Sequence, residues 1–415
     1  MMTPRPILSS LRRHKIAAFL IVLEIALAFA IISNAVYLVI GRLQRVDLPS
    51  GIDERNLVLL QLATAGKQYG SVTSAQTDLA ALRAIPGVES ASAINTLPLS
   101  GSQWGLDYSL RPMRAFSDGV QVPVFFGGPG LLQTLGIRVI QGTAFQPSDY
   151  SDLSPKDVFK TFVNARQALI TQAFAQRLWP HVSAVGKVMY MGETPVLVVG
   201  VVSNFIRPYI GADAHDPANY DNVISPFRAG PDLNAWYALR CQPTECARVL
   251  KAGAAKLQAM HPTETLNAQE SFMHMRQRYF RDDRSMAWLL ASTVIALLGV
   301  TAIGIVGLAS FWVQQRTRQI VVRRALGARR IDILRYFQTE NLLLATAGIA
   351  LGCAAAIGIN VWLMAHYAVP RLPIVYLPIG AVALWLLGQL AVLGPALRAA
   401  RVAPTVAMRA AMLAA

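Results

Sequence analysis

Charged side chains are scarce in this sequence, and the signatures of common enzymes are missing from it. Charged residues make up 15% of the chain, whereas soluble globular domains carry about 25%. The sequence has no Gly-x-Ser-x-Gly elbow, no His-Glu-x-x-His helix, no cysteine pair at zinc-ligand spacing and no Walker A loop. We therefore expect no catalytic residues, no metal site and no cofactor in this chain.

The apolar residues are concentrated in four runs that almost lack charge. Because about 20 apolar residues cross the hydrocarbon core, these runs predict transmembrane helices over residues 16–40, 286–313, 342–369 and 377–397. The first run exceeds the roughly 7–15 apolar residues of a signal peptide, so we interpret it as an uncleaved anchor. It contains Glu24, which is either a functional carboxylate or a side chain that snorkels, stays protonated or bonds to a neighbouring helix.

The net charge of +15 is unevenly distributed. Residues 1–15, 314–341 and 398–415 hold twelve of these net charges, and residues 41–285 hold only three. By the positive-inside rule, the three basic segments are cytoplasmic. We therefore expect a multi-pass protein of the cell inner membrane with both termini in the cytoplasm, a large periplasmic domain at 41–285 and a short periplasmic loop at 370–376. The basic segments then contact membrane lipid, and no nucleic-acid partner is expected.

Residues 41–285 predict a mixed domain of helices and strands. Apolar patterns indicate strands at 56–63, 88–94 and 195–202, and helical spacing indicates helices at 74–85, 167–179 and 246–260. A polar helix at 269–283 is expected to run directly into the second transmembrane helix. The predicted fold class is an α-helical membrane protein with four transmembrane helices and a large mixed α+β extracytoplasmic domain.

The chain has three cysteines. Cys241 and Cys246 lie in the large domain, where an oxidising environment permits a local disulfide. Two unpaired thiols are the alternative. Cys353 lies in the third transmembrane helix, where we expect it to serve packing.

Glycines in the membrane runs indicate where helices approach each other closely. Gly348 and Gly352 form a Gly-x-x-x-Gly pair in the third helix, and Gly304 and Gly307 lie in the second. Small residues allow the backbones of transmembrane helices to pack at short distance. We therefore predict that these four glycines are helix-packing residues.

Residues 314–341 form a short basic segment between the second and third transmembrane helices. It contains seven arginines and two acidic residues. Gly327 suits a helix C-terminus, and Ile333, Leu334 and Phe337 share one face of the helix that follows. The segment is either an ordinary positive cytoplasmic loop or a docking element for a cytoplasmic partner.

A pattern of twelve residues in this segment carries a family resemblance. These residues are Arg316, Arg318, Gln319, Arg323, Arg324, Ala325, Leu326, Gly327, Ala328, Ile333, Phe337 and Glu340. Together with ordered motifs elsewhere, such as Leu97-Pro98-Leu99 and Leu178-Trp179-Pro180, the pattern resembles MacB/FtsX-type ABC transporter permeases. The resemblance implies that the twelve residues couple the chain to an ATPase. Gln319 stands where the family often has glutamate.

The resemblance also implies a function and partners. It implies a permease without a fused ATPase that transmits ATP-driven motion to its periplasmic domain, for export of antibiotics, peptides or amphipathic molecules. Its partners would be a cytoplasmic ABC ATPase dimer that holds the ATP and Mg²⁺, a second permease subunit (the same chain or a paralogue), and a periplasmic adaptor with an outer-membrane channel. One alternative is a lipoprotein-releasing or cell-wall-hydrolase-regulating complex of the same mechanical type. An alternative of another class is a membrane sensor with a periplasmic ligand-binding domain.

Overall fold

The computed structural model describes residues 15–63, 72–113, 119–153, 165–230, 235–316, 320, 328–367 and 372–401. The chain divides into two units. The membrane unit comprises Met1–Gln44 and Asp283–Ala415, and the outer unit comprises Arg45–Asp282. In the chain, the outer unit is therefore a single insertion between the two parts of the membrane unit.

Helices and strands occupy most of the described residues. The helices are α1 (Lys15–Val46), α2 (Val72–Arg83), α3 (Leu131–Leu135), α4 (Gln172–Leu178), α5 (Cys246–Met260), α6 (Phe272–Tyr279), α7 (Arg281–Gln315), α8 (Arg330–Tyr367) and α9 (Tyr376–Arg401). The strands are β1 (Leu57–Ala63), β2 (Val88–Ile94), β3 (Gly105–Ser109), β4 (Val120–Phe125), β5 (Val139–Gly142), β6 (Ser151–Asp152), β7 (Gln167–Thr171), β8 (Val188–Met191), β9 (Thr194–Val202), β10 (Val223–Ile224), β11 (Phe227–Arg228), β12 (Trp236–Cys241) and β13 (Thr265–Ser271).

Four of the described helices are long and apolar enough to cross a membrane. Their spans are Ala18–Val46 in α1, Arg281–Gln315 in α7, Arg330–His366 in α8 and Tyr376–Arg398 in α9. Each overlaps one of the predicted runs, so the four-helix prediction is confirmed. Helix α1 is the most enclosed of the four, since 56% of an 18-residue apolar stretch in it is buried. The corresponding share for α7 is 11%. It is therefore the central helix of the membrane unit.

Helix α8 begins well before the apolar run that predicted it. The chain is helical from Arg330 onward. The carboxylate of Asp332, near the start of the helix, accepts a hydrogen bond from the Arg329 N–H at 2.9 Å, which satisfies a donor at the helix N-terminus. We call residues 314–341 the coupling segment, after the role that the resemblance implies. Its second half and the third transmembrane helix are therefore one continuous helix.

The first sheet of the outer unit joins the two ends of that unit. Its strand order is β13-β1-β12-β2, and neighbouring strands are antiparallel. In β1, Val58 and Leu60 face one hydrophobic cluster, and Leu57 and Leu59 face another. Because both faces of β1 are buried, its sequence is a nearly continuous apolar run. Helices α2 and α5 add apolar side chains to the first of these clusters.

The second sheet is built from residues between β2 and β12. Its order is β5-β9-β7-β10-β4-β3-β8, and β8 also pairs with β9. This extra pairing closes six strands into a ring, and closure of this kind removes exposed sheet edges. The chain leaves the first sheet after Ile94, forms the second sheet, and returns to the first sheet at Trp236. Ile94 and Trp236 are directly paired. The mixed α+β prediction is thus confirmed.

The predicted helix at 167–179 is wrong in its first part. Residues Gln167–Thr171 form strand β7, and only Gln172–Leu178 are helical. Ala168, Leu169 and Ile170 are fully buried. A short apolar run that is buried on both sides has the same pattern in a strand as in a helix, so periodicity alone could not distinguish them.

The predicted continuous helix at 269–283 is also wrong. Strand β13 extends to Ser271, whose hydroxyl accepts a hydrogen bond from the His274 N–H at 3.2 Å and caps α6. Helix α6 ends at Tyr279, and α7 begins at Arg281. Phe280 lies between them with its ring buried in the core of the outer unit. Because Phe280 is anchored there, the helix is interrupted at this residue.

Candidate functional site

The predicted coupling residues divide into a described and an undescribed group. Arg316, Ala328, Ile333, Phe337 and Glu340 belong to the part of the chain that the structure describes. The residues that lie outside it are Arg318, Gln319, Arg323, Arg324, Ala325, Leu326 and Gly327. The described group includes both ends of the segment.

Arg316 and Glu340 form a buried ion pair. Arg316 directly follows α7, and Glu340 lies in α8, so the pair joins the two ends of the coupling segment. Nη1 of Arg316 donates to Oε2 of Glu340 at 2.9 Å and to Oε1 at 3.1 Å. The side chains are 8% and 1% exposed. Removing one charge would leave the other in a medium of low dielectric constant, at a cost of about 3–5 kcal/mol. The two residues therefore bind each other, and the pair is an internal brace of the elbow between α7 and α8.

A small cavity with a mainly apolar lining adjoins this brace. The Arg316 guanidinium lies over the Trp312 indole, with 5.4 Å between Cζ and the ring centroid, which is a cation–π contact. Trp312, Glu340 and Asn341 help to line a cavity of about 20 Å³. Among the described atoms, Nε1 of Trp312 and Nδ2 of Asn341 have no hydrogen-bond partner, although both residues are buried. The rest of the lining is mainly apolar, and the cavity has room for about one water molecule, which could bond to these polar atoms.

Three of the described apolar residues of the coupling segment face the interior of the membrane unit. Ile320, Ile333 and Phe337 belong to its buried cluster. The Ile320 N–H donates to the Arg316 carbonyl at 3.0 Å, which is the spacing of a helical turn. Ile333 and Phe337 were predicted to couple the chain to an ATPase, and their burial means that any such role acts through packing within the bundle.

The opposite side of the first turns of α8 is exposed. Arg329, Arg330, Ile331 and Arg335 form this surface, which we call the basic face. Ile331 is 46% exposed, so one apolar side chain lies among three cationic ones. A basic surface with an apolar centre can contact an acidic partner that carries an apolar pocket.

Two of the predicted packing glycines bring α8 against α1. A Cβ added to Gly348 would lie 2.8 Å from Cβ of Ile25, and one added to Gly352 would lie 2.8 Å from Cβ of Phe29. Only glycine permits so close an approach. One turn further along α8, Nδ2 of Asn34 donates to the carbonyl of Ala356 at 3.1 Å. The small residues of α8 and the buried amide of Asn34 thus hold α1 and α8 together along one line of contact, which we call the helix seam.

The other two predicted glycines behave differently from each other. Gly304 of α7 lies directly against the carboxylate of Glu24 on α1, and a Cβ added there would require this carboxylate to move. A Cβ at Gly307 would have no neighbour within 4 Å in the described part of the chain. Near the other end of the same two helices, Nη1 of Arg42 and Oδ1 of Asp283 form an ion pair of 2.7 Å.

In the outer unit, Cys241 and Cys246 are joined by a disulfide. Their Cα atoms are 5.4 Å apart. Cys241 ends β12 and Cys246 begins α5, and both belong to the first hydrophobic cluster. The bond therefore fixes the turn between this strand and this helix.

Sequence reasoning missed several polar residues that support these contacts. Asn34 lies within an apolar run, and Trp312 and Asn341 lie at the ends of such runs. Hydropathy averages conceal single polar groups. An amide in a membrane helix is costly unless it is hydrogen-bonded to a neighbouring helix, and this argument could have marked Asn34 and Asn341 as contact residues.

Two protein families match this chain. The FtsX-like permease C-terminal family matches residues 291–404. The MacB-like periplasmic core domain family matches residues 19–245, which is more than half of the chain.

Individual relatives agree with these families. The macrolide export ATP-binding/permease protein MacB of Shewanella sp. (strain ANA-3) is 26% identical over 369 residues, which cover 85% of this chain and 52% of that protein. The uncharacterized ABC transporter permease YvrN of Bacillus subtilis is 28% identical over 250 residues, which cover 58% of this chain and 61% of YvrN. The chain thus spans about half the length of its MacB relatives.

Solved structures that resemble part of the chain include two extracytoplasmic domains. The extracellular domain of the transporter YknZ from Gram-positive bacteria aligns with 51% of this chain and 99% of that domain, at 15% identity and a TM-score of 0.33. The periplasmic region of MacB from Actinobacillus actinomycetemcomitans aligns with 55% of this chain and 94% of that region, at 13% identity and a TM-score of 0.33. On the strength of the two family matches, this chain belongs to the MacB-like family of ABC transporter permeases, which are membrane-embedded proteins with a periplasmic core domain.

Proposed function

We propose that this chain is the permease subunit of an inner-membrane ABC transporter and that it transmits the work of a separate cytoplasmic ATPase to its outer unit. Both termini and the elbow between α7 and α8 are then cytoplasmic, as the charge distribution predicts. The observation that carries the proposal is the braced elbow with its exposed basic face. Family membership supports the same assignment.

The brace provides a route for mechanical force. A partner that pushes on the basic face moves α8, which is helical from Arg330 to Tyr367 without a break. Because Glu340 of α8 is bonded to Arg316 at the end of α7, the displacement reaches α7 as well. Helix α7 is the segment that continues from the outer unit, so movement in the cytoplasm can displace that unit.

The partners and the cargo follow from the same proposal. ATP and Mg²⁺ bind to an ABC ATPase dimer, and this chain holds no cofactor of its own. A second permease subunit, membrane lipid, and a periplasmic adaptor with an outer-membrane channel complete the assembly. The name of the MacB relatives refers to macrolide export, which supports antibiotics, peptides or other amphipathic molecules as cargo.

The docking step is tested by substitutions in the basic face. Exposed ion pairs contribute about 0.2–1 kcal/mol each, whereas burying one large apolar side chain contributes about 1.5–3 kcal/mol. We therefore expect Ile331→Glu to reduce ATPase binding at least tenfold, and Arg330→Glu to reduce it less. Binding is measured as the amount of Walker-motif ATPase that copurifies with the tagged full-length chain from its native membranes.

Arg398→Glu is the matched control. Arg398 is an exposed arginine near the end of α9 and lies outside the basic face. We expect this variant to retain the ATPase at the level of the unaltered chain. Equal retention by Ile331→Glu would show that the basic face is not the docking surface. If no ATPase copurifies even with the unaltered chain, the proposed function is wrong.

A further inference from the structure

The polypeptide enters the outer unit once and leaves it once. It enters through residues 46–54, which we call the incoming segment, and it leaves through α6 and Phe280. These two stretches are more than 200 residues apart in sequence. Any movement passed along the chain to the outer unit must pass through one of them.

Arg276 of α6 binds the incoming segment at three points. Its Nη2 donates to the carbonyl of Val46 at 2.8 Å and to the carbonyl of Leu48 at 2.6 Å. Its Nη1 forms an ion pair with the carboxylate of Glu54. The side chains of Arg276 and Glu54 are only 14% and 18% exposed, so water screens this ion pair weakly. Val46 is the last residue of α1, and the guanidinium therefore also satisfies a carbonyl at that helix end.

The outgoing side is anchored next to the same arginine. The Arg276 Cζ lies 5.6 Å from the centroid of the Phe280 ring, and Phe280 is fully buried. The Tyr279 hydroxyl accepts a hydrogen bond from the Ile210 N–H at 3.0 Å. The interruption between α6 and α7 is thus held by the core of the outer unit, and α6 is not a free linker.

We propose that Arg276 is a positioning residue that locks the incoming segment to the outgoing helix, so that displacement of α7 reaches the outer unit at both of its chain ends together. The part of this inference that concerns displacement rests on the proposed function. The chemistry selects arginine, because two carbonyls and a carboxylate lie in different directions and only a planar group with five N–H donors reaches all three. Lysine can replace a fraction of these bonds, and glutamine cannot replace the ion pair.

The lock is tested on the full-length chain in lipid nanodiscs by hydrogen–deuterium exchange. We expect Arg276→Gln to raise amide exchange in the incoming segment at least tenfold and to leave β2 unchanged. Arg276→Lys should give an intermediate increase. The matched control is Arg278→Gln, since Arg278 lies on the same helix and pairs with Glu270 at 2.5 Å instead. If Arg276→Gln and Arg278→Gln give the same exchange in the incoming segment, the lock does not exist.

The positioning role is tested on the chain purified with its ATPase. We expect ATP to change amide exchange in both the incoming segment and α6 of the unaltered chain. In Arg276→Gln the change should persist in α6 and disappear from the incoming segment, an effect that a general loss of stability would not produce. If ATP still changes amide exchange in both the incoming segment and α6 of Arg276→Gln, the positioning role is overturned. Absence of any ATP-dependent change in the unaltered chain overturns the proposed function, while the nanodisc result still decides whether the lock exists.

Discussion

The brace between Arg316 and Glu340 makes a quantitative prediction for the membrane unit. Arg316→Met removes the cation and leaves the Glu340 carboxylate, which is 1% exposed, without this partner. Breaking a buried pair from one side costs about 3–5 kcal/mol, and the lost contact with the Trp312 ring adds about 0.5–2 kcal/mol. We expect a loss of about 4 kcal/mol in the free energy of unfolding, which is roughly a thousandfold in the equilibrium constant.

Removal of both charges should be far less harmful than removal of one. The double variant Arg316→Met with Glu340→Leu leaves no charge unpaired and keeps apolar volume at both positions. Replacing both members of a buried ion pair by apolar residues often leaves the free energy of unfolding unchanged, because folding no longer has to remove two charges from water. We expect the double variant to lose less than about 1 kcal/mol and to be more stable than either single variant.

The thiol of Cys353 provides the assay. Cys241 and Cys246 are joined in a disulfide, and Cys353 is the free cysteine. It lies in α8 and packs against the buried cluster of the membrane unit. Its rate of reaction with a maleimide, measured during an SDS titration in mixed micelles under non-reducing conditions, therefore reports unfolding of that unit and needs no engineered label.

Arg335→Met is the control for this experiment. Arg335 lies on the same helix, but its side chain is exposed, and exposed substitutions usually change stability by less than about 0.5 kcal/mol. If Arg316→Met is no more destabilising than Arg335→Met, or if the double variant is as unstable as the singles, the buried-pair reasoning is refuted.

Two further predictions concern the helix seam and the outer unit. Gly348→Ile should destabilise the membrane unit by about 1–3 kcal/mol in the same thiol assay, because its side chain would collide with Ile25. Gly358→Ile should change stability little, because a Cβ there has no neighbour within 4 Å among the residues that the structure describes. Equal effects of the two substitutions would contradict close packing of α8 against α1. Burial raises the pKa of Asp221, opposed in part by its hydrogen bond with Arg177, so the folded state holds the Asp221 proton to higher pH than the unfolded chain does. The stability of the outer unit relative to Asp221→Asn should therefore fall as pH rises above about 4, the usual pKa of an aspartate in an unfolded chain. Thermal unfolding that shows the same difference in stability at acidic and at neutral pH would contradict the assignment.

The membrane helices could be predicted because the hydrocarbon core imposes a length and a composition on them. Their ends could not be predicted in the same way. Helix α8 starts at Arg330, and Asp332 caps its N-terminus. Its first turns are amphipathic, so their average hydropathy is too low to mark them as part of a membrane helix. In the outer unit, β7 was mistaken for a helix because its apolar residues are buried on both sides and show no alternation.

The brace could not be found by sequence patterns. Arg316 and Glu340 are separated by 24 positions, and their pairing depends on how α7 and α8 meet. The family resemblance identified both residues as coupling residues, but it did not indicate that they pair with each other. The same holds for Arg276, whose partners lie more than 200 positions earlier in the chain. Contacts between distant segments depend on the three-dimensional arrangement, and neither helical nor strand periodicity carries that information.

The order of strands in the first sheet has a consequence for the biogenesis of the protein. Strand β1 pairs with β12 and β13, and β2 pairs with β12. Neither early strand therefore has its neighbour until residue 236 at the earliest has left the ribosome and crossed the membrane. While residues 64–235 are synthesised, the apolar residues of β1 stay without a sheet, and long-range pairings of this kind form slowly. The nascent outer unit is thus open to aggregation until its last strands arrive, just before α7 is synthesised.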